Sequence, residues 1–199
     1  EELRKLEVDA LLAIGGDGSM KIAQRISELG MPVIGIPKTI DNDLSSTGVT
    51  FGFGTAVDTA TEALDKLHTT AESHQRTMVL EVMGRYVGWI ALHSGVAGGA
   101  HAILVPEIPY DIDVLARFLG NRMESGRRSS IVVIAEGARQ ANRAHSVKTK
   151  SKNGQVEVLG GAGNHLAMEL EQRLHCGVRC TVLGHLQRGG SPNAYDRIL

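Results

Sequence analysis

Val8-Asp9-Ala10-Leu11-Leu12-Ala13-Ile14 is followed at once by Gly15-Gly16-Asp17-Gly18-Ser19, and then by a stretch to Leu29 in which apolar residues recur every three or four positions. An apolar run of strand length, a glycine turn and an amphipathic helix open a βαβ unit, in which a parallel strand must follow the helix. Pro32-Val33-Ile34-Gly35-Ile36 supplies that strand. The alternation continues outward. Strand-sized runs at 77–82, 102–105, 131–135 and 180–183 lie between candidate helices at 55–73, 87–97, 112–124 and 163–174, the first helix being 19–29. The pattern predicts an α/β fold with mostly parallel sheets, whose ligand sites gather at the carboxyl ends of strands. Polar motifs duly follow the strands: 15–19, 37–43, 83–85, 136–137 and 184–190.

The 199 residues suffice for one large domain or two small ones at about 150 residues each. Lys and Arg number 21 against 22 Asp and Glu, so no field of one sign is available to hold nucleic acid or an anionic membrane, and an anion site has to be local. No run reaches the roughly 18 apolar residues of a membrane span. Cys176 and Cys180 form no disulfide framework and read as reduced thiols of a cytoplasmic protein, with too few His or Cys neighbours for zinc. Glu1 to Leu6 is an amphipathic helix fragment without initiator Met or signal-peptide core, so the chain is expected to start mid-fold. The polar stretch 140–161, with Lys148, Lys150 and Lys152, reads as a solvated surface hairpin or insertion.

A strand, Gly-Gly-Asp-Gly-Ser and a helix offer backbone N–H groups and a positive helix end to phosphate, although no Gly-Lys-Ser/Thr makes this a Walker loop. Asp17 there suits either a phosphate-bridging cation or a helix cap. Pro37-Lys38-Thr39-Ile40-Asp41-Asn42-Asp43 is denser, with one cation, one hydroxyl, two carboxylates and an amide. It reads as a solvated Asx-rich turn or as the apparatus of phosphoryl transfer to an alcohol, which needs a carboxylate for the hydroxyl proton and cations for the phosphoryl group. Arg76, Arg85, Arg179 and Arg188 recur in or beside loops. Each is a surface ion pair or a planar phosphate clamp.

Taken together, the loops resemble the 6-phosphofructokinase family. The resemblance rests on Ile14 to Ser19, Pro37 to Asp43, Ser73-His74-Gln75-Arg76, Glu81-Val82-Met83-Gly84-Arg85, Ala97-Gly98-Gly99, Val105-Pro106-Glu107 and Val182 to Pro192, in family order. It implies two α/β lobes of mostly parallel sheets flanked by helices: residues 1–52 in the larger, donor-binding lobe, 53–187 in the substrate lobe, and 188–199 returning to the first. It also implies Mg²⁺-dependent phosphoryl transfer to the 1-hydroxyl of fructose 6-phosphate. By motif, Asp41 is the general base, and Thr39 and Arg85 steady the transferring group. Asp17 and Asp43 hold the metal, and Gly16, Gly18, Ser19 and Lys38 line the donor. Ile40, Met83, Gly84, Glu136, His185, Leu186, Gln187 and Arg188 face the sugar phosphate. The counterparts of Arg76 and Arg179 reach the 6-phosphate of a neighbouring subunit, which makes a homo-oligomer the expected state.

Three departures qualify the resemblance. Gly18 is similar to the ATP-using branch, whereas Lys38 is similar to pyrophosphate enzymes; ATP is favoured, with pyrophosphate the alternative. His68 and His101 stand where allosteric bacterial enzymes carry Arg and Glu, so their effector regulation is not expected here. Family members also begin about 85 residues earlier and run past Arg197, so the chain is read as an internal fragment, marginally stable or prone to associate. Other readings are an NAD or lipid kinase, which shares the Gly-Gly-Asp-Gly loop, and a non-catalytic sugar-phosphate-binding subunit.

Overall fold

The computed structural model describes residues 2–141, 147–149, 158–159 and 161–199. A short helix, α1 (Glu2–Lys5), leads into β1 (Leu11–Gly15), α2 (Asp17–Glu28) and β2 (Val33–Pro37). β1 and β2 pair in parallel from Leu11 opposite Val33 to Gly15 opposite Pro37, as the βαβ reading requires. The first ladder bond runs from Leu11 N–H to the Pro32 carbonyl. The partner strand thus fixes the start, and β1 begins three residues later than its apolar run.

The second sheet contains β3 (Thr77–Val82), β4 (Ala102–Leu104), β5 (Ser130–Ala135) and β8 (Val178–Val182) in the order β4-β5-β3-β8, every pair parallel. The central strands β3 and β5 are buried at every residue, which explains their continuous apolar runs. Successive side chains point to opposite faces. Met78, Leu80, Ile131 and Val133 pack with Phe53, Ala60 and Leu64 of α3 (Phe53–His74) and Ile90 of α4 (Trp89–Ala97). Val79, Val132 and Ile134 pack with Leu115 and Leu119 of α5 (Ile112–Glu124) and Leu166 and Leu170 of α6 (Ala162–Leu174). Helices therefore cover both faces.

β6 (Val147–Thr149) and β7 (Val158–Leu159) pair antiparallel within the stretch read as a hairpin; Lys150 and Lys152 lie outside the described residues. A 3₁₀ turn, Gly184–Arg188, follows β8, and α7 (Ala194–Ile198) ends the chain. Asp196 of α7 caps α3, accepting N–H bonds from Gly52 (2.9 Å) and Thr55 (2.7 Å) and the Thr55 hydroxyl. Among the described residues no helix is long and apolar enough to cross a membrane.

Candidate active site

The carboxyl ends of β1 and β2 bring the first two motifs together. Gly16 takes an extended backbone ahead of α2, and a side chain there would place its Cβ 3.3 Å from Thr39 Cβ, so glycine lets the two loops touch. A polar cavity of about 180 Å³ opens between them, lined by Gly16, Lys38, Thr39, Ile40, Asp41 and Arg188. Gly16, which lines the cavity, immediately precedes α2, whose start carries no side-chain cap, and a helix start favours an anion. Asp17 is exposed beside them and pairs with Lys21 at 2.7 Å.

The loop after β2 is held as a tight turn. Asp41 N–H donates to Thr39 Oγ1 at 3.2 Å, and Thr39 Oγ1 lies 3.5 Å from Asp41 Oδ2. Asn42 adopts the left-handed conformation (φ 53°), which asparagine tolerates. From the returning segment, the Thr50 hydroxyl donates to the Thr39 carbonyl at 2.6 Å and the Thr50 N–H to Asn42 Oδ1 at 2.9 Å. Burial, reinforced by the nearby charge of Asp43, raises the Asp41 carboxyl above its ordinary value; Arg188, the Thr39 hydrogen bond and Arg85 oppose that rise.

The second sheet contributes from its own carboxyl ends. Met83 and Gly84 follow β3 and are buried, and Gly84 has φ 141°. Gly137 N–H donates to the Gly84 carbonyl at 3.0 Å, and Glu136 N–H to the Val82 carbonyl at 2.9 Å. A Cβ on Gly137 would overlap the Arg85 carbonyl, so this position admits only glycine. Burial raises the Glu136 carboxyl; Arg85 counters it, while Glu81 and Asp41 add to it. Arg85 is thus the cation acting on both Asp41 and Glu136, and its guanidinium sits 5.8 Å from the centre of the Tyr86 ring.

His185 and Arg188 are exposed on the 3₁₀ turn, and Leu186 projects to solvent. Gln187, which lines a larger adjoining cavity, also has a structural task. Its side chain is buried, its Oε1 accepts the Met83 N–H at 3.3 Å and its Nε2 donates to the Gly184 carbonyl at 3.1 Å, so it ties this turn to the end of β3. A second cavity, about 310 Å³, adjoins the first across Lys38, Ile40 and Arg188, with Phe51, Thr55 and Asp196 on its far wall.

Arg76 and Arg179 are not part of this cluster. Arg76 stands just before β3, about 20 Å from its carboxyl end, and Arg179 is the second residue of β8, about 10 Å from its carboxyl end, at about 3.3 Å per residue. Arg179 pairs with Glu171 at 3.0 Å, and Arg76 packs over Gly177. Gly18 meets nothing within 4 Å of the position a Cβ would take. His68 and His101 face each other at 6.3 Å between ring centres; His68 bonds the Gly98 carbonyl, and His101 Nδ1 accepts the Ile131 N–H at 2.9 Å. Both rings therefore serve the backbone. Burial pushes the Cys180 thiol up to about 12, with the Glu81 charge adding to it. Among the described residues, no three His, Cys, Asp or Glu stand close enough to hold a metal by themselves.

Thr50 was not singled out in the sequence, and Gly137 and Glu81 figured there only within longer motifs, with no role of their own. Thr50 acts from eight and eleven residues away, a spacing with no local signature. Glu81 did carry a signal, an acid inside a fully buried strand; it accepts the Gly161 and Gly163 N–H groups at 3.2 and 2.8 Å and so anchors the start of α6.

The phosphofructokinase family matches residues 1–199. ATP-dependent 6-phosphofructokinase 3 of Streptomyces coelicolor is 53% identical over 198 residues, covering 99% of this chain and 58% of its own length. Pyrophosphate–fructose 6-phosphate 1-phosphotransferase of Amycolatopsis methanolica is 52% identical over 194 residues, covering 96% of the chain and 56% of its own. Among solved structures, Pichia pastoris phosphofructokinase in the T-state superposes with a TM-score of 0.82 at 32% identity, over 98% of this chain and 22% of that one. The chain spans a little over half the length of the curated relatives it matches. Because the match runs from the first residue to the last, and the frame that carries the cluster is the frame of solved members, the chain belongs to the phosphofructokinase family.

Proposed function

We propose that these residues transfer the terminal phosphoryl group of ATP to the 1-hydroxyl of fructose 6-phosphate, giving fructose 1,6-bisphosphate, within a polypeptide of the relatives' length. The observation that carries this reading is Asp41: a carboxyl with a raised proton affinity in a polar cavity, facing Arg85, Arg188 and Lys38. Asp41 takes the proton from the sugar hydroxyl as its oxygen bonds to phosphorus and the bond to the departing phosphate breaks. Thr39, Lys38 and Arg85 hold the charge of the transferring group. Mg²⁺ takes one or two carboxylates plus phosphate oxygens, so Asp17, exposed beside Gly16, and Asp43 suit it; bound there, it neutralises phosphate charge.

Gly16, Gly18 and Ser19 serve the donor phosphates, and Met83, Gly84, Glu136, His185 and Arg188 the sugar phosphate. The open space ahead of Gly18 supports the larger donor, whereas Lys38 on the cavity wall supports pyrophosphate as the second reading. Both donors appear in names of relatives at about half identity. Arg76 and Arg179, set at the far end of their strands, serve the 6-phosphate of a neighbouring copy, which makes the working form a homo-oligomer in the cytoplasm. In this reading residues 1–52 are donor lobe, 53–187 substrate lobe and 188–199 the return, with Asp196 bonded across their junction.

The test is a coupled assay for fructose 1,6-bisphosphate with Mg²⁺, fructose 6-phosphate and either ATP or pyrophosphate, on the native polypeptide and Asp41→Asn. Turnover with ATP, reduced about 10²- to 10⁴-fold in the variant with sugar-phosphate binding retained, is the expected result. Near-normal turnover of the variant refutes the assignment of the base.

A further inference from the structure

Thr50 is completely buried, yet all three of its polar groups are engaged. Its hydroxyl donates to the Thr39 carbonyl at 2.6 Å, its N–H to Asn42 Oδ1 at 2.9 Å, and its carbonyl accepts the Phe53 N–H at 3.3 Å as α3 begins. Next to it, Phe51 N–H donates to the Pro37 carbonyl at 3.0 Å. The returning segment therefore closes the loop that carries Thr39 and Asp41, and only Thr50 does so with a side chain directed at the middle of that loop. Asn42 holds a left-handed backbone between Asp41 and Asp43, and its amide oxygen is the second point of attachment.

We propose that Thr50 is a positioning residue that fixes Thr39, and through Thr39 the carboxyl of Asp41, in the geometry for accepting a proton. This rests on the phosphoryl-transfer reading above. The chain of contact is short: Thr50 hydroxyl to Thr39 carbonyl, Thr39 hydroxyl to Asp41 carboxyl and N–H. Thr50 reaches neither cavity itself, so its loss acts on the position of Asp41 and leaves the sugar-phosphate groups in place.

The experiment compares Thr50→Val, which keeps the shape and removes the hydroxyl, with Thr50→Ser, which restores it. Two readouts are taken on the native polypeptide: kcat and KM for fructose 6-phosphate, and the backbone amide ¹H–¹⁵N shift of Asp41, whose N–H donates to the Thr39 hydroxyl. Thr50→Val is expected to lower kcat by about 10- to 100-fold, as for a displacement of about 1 Å at the reacting group, with KM within about twofold. Its Asp41 amide shift is expected to move as the Thr39 hydroxyl is released; Thr50→Ser is expected to recover both readouts. Wild-type kcat and amide shift in Thr50→Val, or a Thr50→Ser as impaired as Thr50→Val, overturns the proposal. If Thr50→Val does not fold, Asn42→Gly removes the other attachment and keeps the left-handed backbone; the same fall in kcat with KM kept is expected, and a wild-type kcat there overturns the proposal. Should the wild type turn over neither donor, the phosphoryl-transfer reading fails while the amide shift still decides the role of Thr50.

Discussion

Asp41 and Glu136 are two half-buried carboxyls held above their ordinary values, with one arginine, Arg85, opposing the rise in both. Replacing Arg85 by Gln removes that opposition, so the acid limb of kcat/KM is expected to move to higher pH, the direction set by losing a nearby cation. An unmoved limb in a pH–rate profile contradicts the placement of Arg85. The same shift has a stability sign. A carboxyl whose folded value is raised stabilises the fold below its unfolded value, and that contribution is lost as pH rises through the folded one. Asp41→Asn is therefore expected to raise the melting temperature at neutral pH and to bring no gain near pH 3, as read by thermal melts at both. The residues that carry charge were legible in sequence because carboxylates and arginines announce their chemistry. Thr50 and the inward turn of Gln187 were not, because a buried hydroxyl or amide looks the same on paper whichever way it points.

The junctions between elements depend on residues far away in sequence. Gly137 admits no Cβ against the Arg85 carbonyl, so Gly137→Ala is expected to destabilise by about 1–3 kcal/mol in urea titrations and to displace both Arg85 and Glu136. α3 has no cap of its own, because Gly52 and Gly54 flank its start; Asp196 caps it from 144 residues away. Burial alone would raise Asp196, yet the Thr55 and Gly52 hydrogen bonds outweigh it and hold the carboxyl below its usual value. Its contribution is therefore complete above the ordinary aspartate range and fades as pH falls through and below it. Asp196→Ala is expected to cost about 1 kcal/mol at pH 7, and this difference shrinks toward pH 3. Such long reach explains the boundaries. Ile112–Glu124 was legible because Asp111 caps it locally, whereas α3 starts two residues earlier than its pattern indicated and α4 two later, where the Glu107 carboxylate meets the Gly88 N–H. β8 begins at Val178 although Arg179 interrupts its apolar run, because an edge strand tolerates a charge.

At the scale of the molecule, the two sheets differ in how well they are covered. The second lies between two layers of helices, while the first has α2 on one face and leaves Leu12, Ile14 and Ile34 on the other about 60% exposed. Parallel sheets are normally buried on both faces, so these 199 residues by themselves are expected to associate, with Leu12→Thr and Ile34→Thr reducing the association in light scattering. Equal scattering by wild type and double variant contradicts this. The alternation of elements made the α/β frame legible; the spatial relation of the sheets was not, since periodicity reports which face of an element is apolar and nothing of what lies opposite. That relation matters beyond packing. Gly16, Lys38 and Asp41 ride on one sheet, and Arg85 and Glu136 on the other, so the reactive distance is the gap between two separately framed plates. Turning one plate against the other would lengthen or shorten every contact across that gap in unison, so a single angle between them governs the whole cluster.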